Sequence, residues 1–191
     1  ARLTDWRSDL ALARNGLDTL AGAITADPKR FGRFELSDKL FVAPLGADRE
    51  GVSLSVQGGS TRVRWATMRV DMLTLLAERM GAAPLDALPL AALLHVAGAS
   101  EASERMLVRA GEGASDAPTL FALLARWRGE PLPAEGYVLY EGRYVTPATR
   151  ERLILEGRVR GGLDRLATAR DAAARRAALD ELLALGEAAK A

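Results

Sequence analysis

Val52-Ser53-Leu54-Ser55-Val56-Gln57-Gly58-Gly59-Ser60-Thr61-Arg62-Val63-Arg64-Trp65 is two alternating segments about a glycine pair. Strict alternation of apolar and polar residues is the signature of a half-buried strand. Gly58-Gly59 suits a two-residue hairpin turn, because glycine tolerates positive φ at both positions. That turn pairs Gln57 with Ser60, Val56 with Thr61, Ser55 with Arg62, Leu54 with Val63, Ser53 with Arg64 and Val52 with Trp65. One face then collects Val52, Leu54, Val56, Val63 and Trp65; the other collects Ser53, Ser55, Gln57, Arg62 and Arg64. A slip of one residue would exchange the faces, so the hydrophobic pattern specifies the register.

Upstream, Lys39-Leu40-Phe41-Val42-Ala43 is expected to be a buried strand closed by Pro44 and Gly46, with Phe31, Phe34 and Leu36 opening the β-rich section. Before it lies an apolar heptad. Leu3, Leu10, Leu17 and Ile24 fall seven apart, and Trp6, Ala13 and Leu20 fill the second position. This is the 3.5-residue spacing of a helical seam. It predicts a helix ending at Asp27-Pro28, packed on its own domain or forming a coiled coil with a second copy.

Downstream of Trp65 the period changes to that of helices. Met72, Leu73, Leu76 and Met80 mark one, with Thr67 as the expected N-cap and an end at Gly81 and Pro84. Leu90, Leu93, Leu94 and Ala97 mark the next; Ser100 is expected to cap a third carrying Met106, Leu107 and Ala110. Glu112-Gly113-Ala114-Ser115 is read as a break, and Leu120, Phe121, Leu124 and Trp127 mark a fourth helix. Within residues 85–112, the run Leu90 to Gly98 followed by Glu101 to Ala110 resembles one tetratricopeptide-like helical hairpin, which implies two helices joined by a short link.

After the Pro131-Leu132-Pro133 linker, all three tyrosines fall within residues 137–144. A turn at Glu141-Gly142 pairs Tyr140 with Arg143, Leu139 with Tyr144, Val138 with Val145 and Tyr137 with Thr146. Tyr137, Leu139 and Tyr144 then share one face, and Tyr137 and Tyr144 are expected to pack. Thr146 followed by Pro147 predicts a helix start. Leu153, Val159, Leu163 and Leu166 give that helix a stripe, which Gly157 and Gly161-Gly162 are expected to interrupt. A final amphipathic helix anchored by Leu179, Leu182 and Leu183 closes the chain.

The pattern predicts an α+β fold, mostly helical, with a short antiparallel meander and a second hairpin packed with helices. Three segments are expected: an N-terminal amphipathic helix (1–28), the meander with a helical bundle (29–130), and the tyrosine hairpin with the C-terminal helices (131–191). The chain begins with Ala1 rather than Met and is expected to be a piece of a larger, bacterial-type protein.

The chemistry is restricted. The 191 residues contain no cysteine, which excludes thiol catalysis, disulfides and cysteine-based zinc sites. His95 is the single histidine, within an apolar helical run, and is expected at the edge of the core. No G-x-S-x-G elbow is present. Gly58-Gly59-Ser60-Thr61 lacks the spacing and lysine of a phosphate loop. Ala47-Asp48-Arg49-Glu50-Gly51 is a charged loop rather than a calcium loop. No catalytic residue, metal ligand or cofactor is assigned. The formal charge of +1 argues against a dedicated nucleic-acid binder, which carries a basic excess. No apolar run approaches the roughly 20 residues that span a bilayer.

Two surfaces are nominated. Tyr137, Tyr140, Arg143 and Tyr144 are candidates for binding a protein partner, since tyrosine combines contact area with a polar tip. Arg62, Arg64 and Arg69 are candidates for an anion or a phosphate backbone. The leading expectation is a non-catalytic protein-interaction or scaffolding module, with self-association through the N-terminal helix as one mode. The alternatives are an enzyme using carboxylates and arginines and a weak nucleic-acid binder through the Arg62, Arg64 and Arg69 face. Compartment is not legible in these residues.

Overall fold

The computed structural model describes residues 2–37, 40–112 and 117–188; Lys39 and residues 113–115 of the expected break lie outside them. The chain is α+β and mostly helical. It divides into two compact units, Ala1–Leu132 and Pro133–Ala191.

In the first unit, α1 (Arg2–Ala26) leads through a short 3-10 turn (Pro28–Phe31) into a four-stranded antiparallel sheet. Its strands are β1 (Phe34–Ser37), β2 (Leu40–Ala47), β3 (Gly51–Val56) and β4 (Gly59–Arg64), in sequence order. Helices α2 (Val70–Met80), α3 (Pro84–Val96), α4 (Ser100–Gly111) and α5 (Ala117–Arg128) follow. Leu20 and Ile24 of α1, Leu90 and Leu94 of α3, Leu107 of α4 and Leu124 of α5 are essentially removed from water, with Val42, Val52 and Leu54 of the sheet. Each such side chain stabilises the fold by roughly 1.5–3 kcal/mol.

The hairpin keeps its predicted faces but not its predicted register. The observed pairs are Val52 with Val63, Ser53 with Arg62, Leu54 with Thr61, Ser55 with Ser60 and Val56 with Gly59. The turn is Gln57-Gly58, with Gly58 at φ +92°. Only one residue of this turn occupies the left-handed region, so a second turn glycine is unnecessary. The pairing is displaced by two positions, an even number, so every side chain keeps its face. It also sets two β-branched residues, Val52 and Val63, directly opposite each other. Trp65 leaves the ladder for a 3-10 turn (Trp65–Thr67), and its indole Nε1 donates to the Asp48 carbonyl at 2.7 Å.

Strand β2 is longer than expected. It runs through Pro44 and Gly46, where the pairing with β3 shifts. Such an irregularity accommodates a proline that has no N–H for the ladder. Only one face is buried: Val42 is covered, whereas Phe41 is half exposed.

Two caps differ from expectation. Helix α2 is entered from Arg69 without a side-chain cap, and Thr67 bonds the Arg64 carbonyl instead. Ser100 is already helical, and the position before it is Ala99. Ser103, one turn later, is the buried hydroxyl; it donates to the Ala91 carbonyl at 2.8 Å and ties α4 to α3.

Helix α1 buries Asp9, Ala13, Gly16, Leu20 and Ile24. Ala13, Leu20 and Ile24 are heptad positions, Asp9 and Gly16 join them in the buried stripe, and the helix packs along α3. Trp6 and Leu10 remain 58% and 50% exposed. The Leu3 side chain lies outside the described residues.

In the second unit, β5 (Val138–Tyr140) and β6 (Arg143–Val145) pair as expected, Val138 with Val145, Leu139 with Tyr144 and Tyr140 with Arg143. Thr146 caps α6 (Pro147–Thr168), accepting from the Thr149 N–H at 3.1 Å. Helix α6 is continuous through all its glycines. Gly162 does not interrupt it but admits Leu182 of α7 (Ala172–Ala188): a β-carbon there would stand 2.7 Å from Leu182 Cδ2. Of the three expected α7 anchors, only Leu182 is partly covered; Leu179 and Leu183 are exposed, and Ala178 is the buried residue.

Candidate interaction site

The first turns of α1 supply Asp5, Trp6 and Asp9, the last turn of α3 supplies His95, and the last turn of α5 supplies Arg126 and Trp127. The positions 5 and 9 are one helical turn apart, so both carboxylates project from one side of α1. Arg126 pairs with Asp9 and reaches Asp5 at 3.7 Å. Asp9 is 8% exposed, and a carboxylate so enclosed requires a charged partner.

His95 and Trp127 stack with ring centroids 4.5 Å apart and planes 9° from parallel. Burial lowers the proton affinity of the imidazole; the Asp9 carboxylate opposes this and the Arg126 guanidinium reinforces it. Trp127 Nε1 is buried with no hydrogen-bond partner among the described residues, so packing and stacking hold this indole in place.

These six residues line a recess of about 360 Å³. A second recess, of about 270 Å³, shares His95 and Trp127 with it and is bounded by Ser100, Glu104 and Arg128. Arg128 binds Glu104 in a fork, Nε to Oε1 at 2.8 Å and Nη2 to Oε2 at 2.6 Å. The end of α5 is thus held to α1 by Arg126 and to α4 by Arg128, with Trp127 between them. The first recess is lined by three aromatic residues and carries two carboxylates against one guanidinium. Such a site is equipped to hold a polar or charged group against flat rings.

The residues nominated from sequence are placed differently. Tyr137 is buried at 4% exposure and precedes β5. Tyr140 and Tyr144 are half-buried, and Arg143 and Leu139 are exposed. The inward side of the hairpin is that of Val145. Burial, then the Glu141 carboxylate, raises the Tyr140 phenol above its ordinary value. On the sheet Arg62 pairs with Asp48, and Arg69, at the entry to α2, pairs with Asp71. Arg64 is exposed, without an ion pair among the described residues. Asp48 also accepts from the Glu50 and Gly51 N–H groups at 2.8 and 3.2 Å, so its charged loop is organised internally.

Asp5, Trp6, Asp9, Arg126 and Trp127 were not singled out as a site by sequence. Trp127 carries only the signal of a core position, and nothing local connects it to residues more than a hundred positions earlier. Among the described residues, no group of three or more histidine, aspartate or glutamate side chains gathers as a metal site, and no helix is long and apolar enough to cross a membrane. Compared with family models, curated proteins and solved structures, the chain gives no match.

Proposed function

We propose that this chain is a non-catalytic protein-interaction module that engages its partner at the recess between α1, α3 and α5. The observation that carries the reading is Trp6, a large aromatic side chain left 58% exposed on the rim of that recess. Interface energy concentrates in aromatic and arginine anchors seated in formed pockets. Here the floor is set in advance by the His95–Trp127 stack and the Arg126 ion pairs, which lowers the ordering cost of association. The α3–α4 pair, linked through Ala97-Gly98-Ala99, suits the tetratricopeptide-like reading and supplies a rigid support.

Selection of a random peptide library on the immobilised chain tests this. Peptides enriched by the wild type are expected to be lost with Trp6→Ala, while the melting temperature is unchanged. A selection in which no enrichment depends on Trp6 would overturn the reading.

A second reading, self-association through the first turns of α1, is favoured by Leu10, exposed one turn beyond Trp6. Sedimentation of the wild type and of Leu10→Glu decides it: a mass above one chain that falls in the variant supports it, and a monomeric wild type ends it. The arginine face of the sheet is the weaker surface, because Arg62 and Arg69 already hold internal carboxylates.

A further inference from the structure

From the chemistry of the α1–α3–α5 recess we infer that its occupant is an arginine side chain presented by the partner protein, a step that rests on the interaction reading above.

Charge comes first. The recess holds the carboxylates of Asp5 and Asp9 against the single guanidinium of Arg126. That guanidinium is committed to Asp9, the more enclosed of the two, whose side chain is 11% exposed. Asp5 is 43% exposed and met by Arg126 only at 3.7 Å. One carboxylate at the mouth is therefore left in want of a closer cation.

Surface chemistry comes second. The exposed Trp6 indole and the Asp5 carboxylate line the same recess. A tryptophan face next to a carboxylate attracts cations twice, through the ring quadrupole and through the formal charge. A guanidinium satisfies both at once, since it is planar, stacks on aromatic rings and bonds carboxylates along its edge; an ammonium is compact, strongly hydrated and lacks the flat face.

The chain contains its own precedent. Arg126 is a guanidinium held by these same carboxylates in a recess that His95 and Trp127 also line. The incoming arginine takes the outer position, between Asp5 and Trp6, while Arg126 keeps the inner one on Asp9. The recess is small, about 360 Å³, which fits one side chain rather than a folded surface. Specificity then comes from the residue inserted, and affinity from the chain that carries it.

Titration of the full chain with capped pentapeptides Gly-Ala-Xaa-Ala-Gly, followed by the indole N–H resonances, tests this. With arginine at Xaa, saturable shifts are expected at Trp6, with Trp65 unmoved. Citrulline, the uncharged isostere, is expected to bind about tenfold more weakly, and lysine several-fold more weakly. Asp5→Asn and Trp6→Ala, both read at the indole N–H of Trp127 in the same recess, are each expected to weaken the arginine peptide about five- to tenfold. An unchanged Trp65 resonance shows that the variants fold. Equal binding of arginine and citrulline peptides overturns the inference, as does an arginine response that survives both substitutions. Agmatine binding as tightly as the best arginine peptide overturns the choice of a protein side chain. Peptides enriched through Trp6 but free of basic residues would sink this inference and leave the interaction module standing; absence of any Trp6-dependent peptide would sink the module itself.

Discussion

A β-carbon built on Gly16 would stand 2.2 Å from the carbonyl oxygen of Pro89. The backbones of α1 and α3 therefore touch at a distance no side chain permits. This crossing sets how the carboxylates near the start of α1 meet the end of α3. Pro89 lies inside α3, and the contact uses its carbonyl rather than its ring.

Gly16→Ala is accordingly expected to destabilise the chain by about 1–3 kcal/mol, the usual cost of forcing atoms into a packed core. This runs against helix propensity, which favours alanine. The matched control is Gly22→Ala in the same helix, where an added carbon meets nothing within 4 Å. That variant is expected to gain roughly 0.5–1 kcal/mol. Urea unfolding of the two variants reads opposite signs.

Among the described residues, Glu141 is the non-glycine residue with positive φ, at +48°, followed by Gly142 at +75°. Both central positions of this turn are left-handed, the arrangement that prefers Asn-Gly. Glu141→Asn should stabilise the second unit by about 1 kcal/mol, since the left-handed region costs most residues roughly 1–2 kcal/mol. Thermal unfolding followed by tyrosine absorbance checks it; a lower midpoint would contradict the turn assignment.

His95 gives a pH dependence. Its folded-state proton affinity lies below the ordinary value, chiefly through burial. The unfolded chain, titrating near 6.5, therefore binds more protons in the window between the two values. The stability contributed by neutral His95 is fully present above about pH 6.5 and is lost as pH falls through the folded value. His95→Phe keeps a ring against Trp127 and removes the titration. The wild type should lose urea resistance relative to this variant between pH 7.5 and pH 5, and parallel curves would refute the account.

Asp48 gives a second pH dependence of the same sign at lower pH. The Arg62 hydrogen bond, then the Glu50 and Gly51 N–H groups, hold its carboxyl below the usual range. Its contribution is present above the unfolded value of about 3.9 and fades as pH falls through the folded one. Asp48→Ala should therefore cost more stability at pH 7 than at pH 2. Asp48→Asn should cost less than alanine, since it retains an acceptor for the two N–H groups. Equal losses at both pH values would remove the charge argument.

Periodicity in the sequence determined the α+β class, the sheet hairpin and its two faces, the tyrosine turn at Glu141-Gly142 and the helix start at Thr146-Pro147. Each is a local decision, made by alternation, by a turn residue or by a cap within a few positions. Where two local solutions shared one face pattern, as at Gln57-Gly58 and Gly58-Gly59, alternation could not separate them, because a displacement of two residues leaves every side chain on the same face. The heptad of α1 named the helix and part of its contact stripe: Ala13, Leu20 and Ile24 are buried, whereas Trp6 and Leu10 are exposed. Gly16 permits a backbone approach to α3 that leucine does not. Only the tertiary structure brings Asp5, Trp6 and Asp9 to His95, Arg126 and Trp127. The ion pairs join residues 5 and 9 to 126 and the ring stack joins 95 to 127, and neither force leaves a repeat in the sequence.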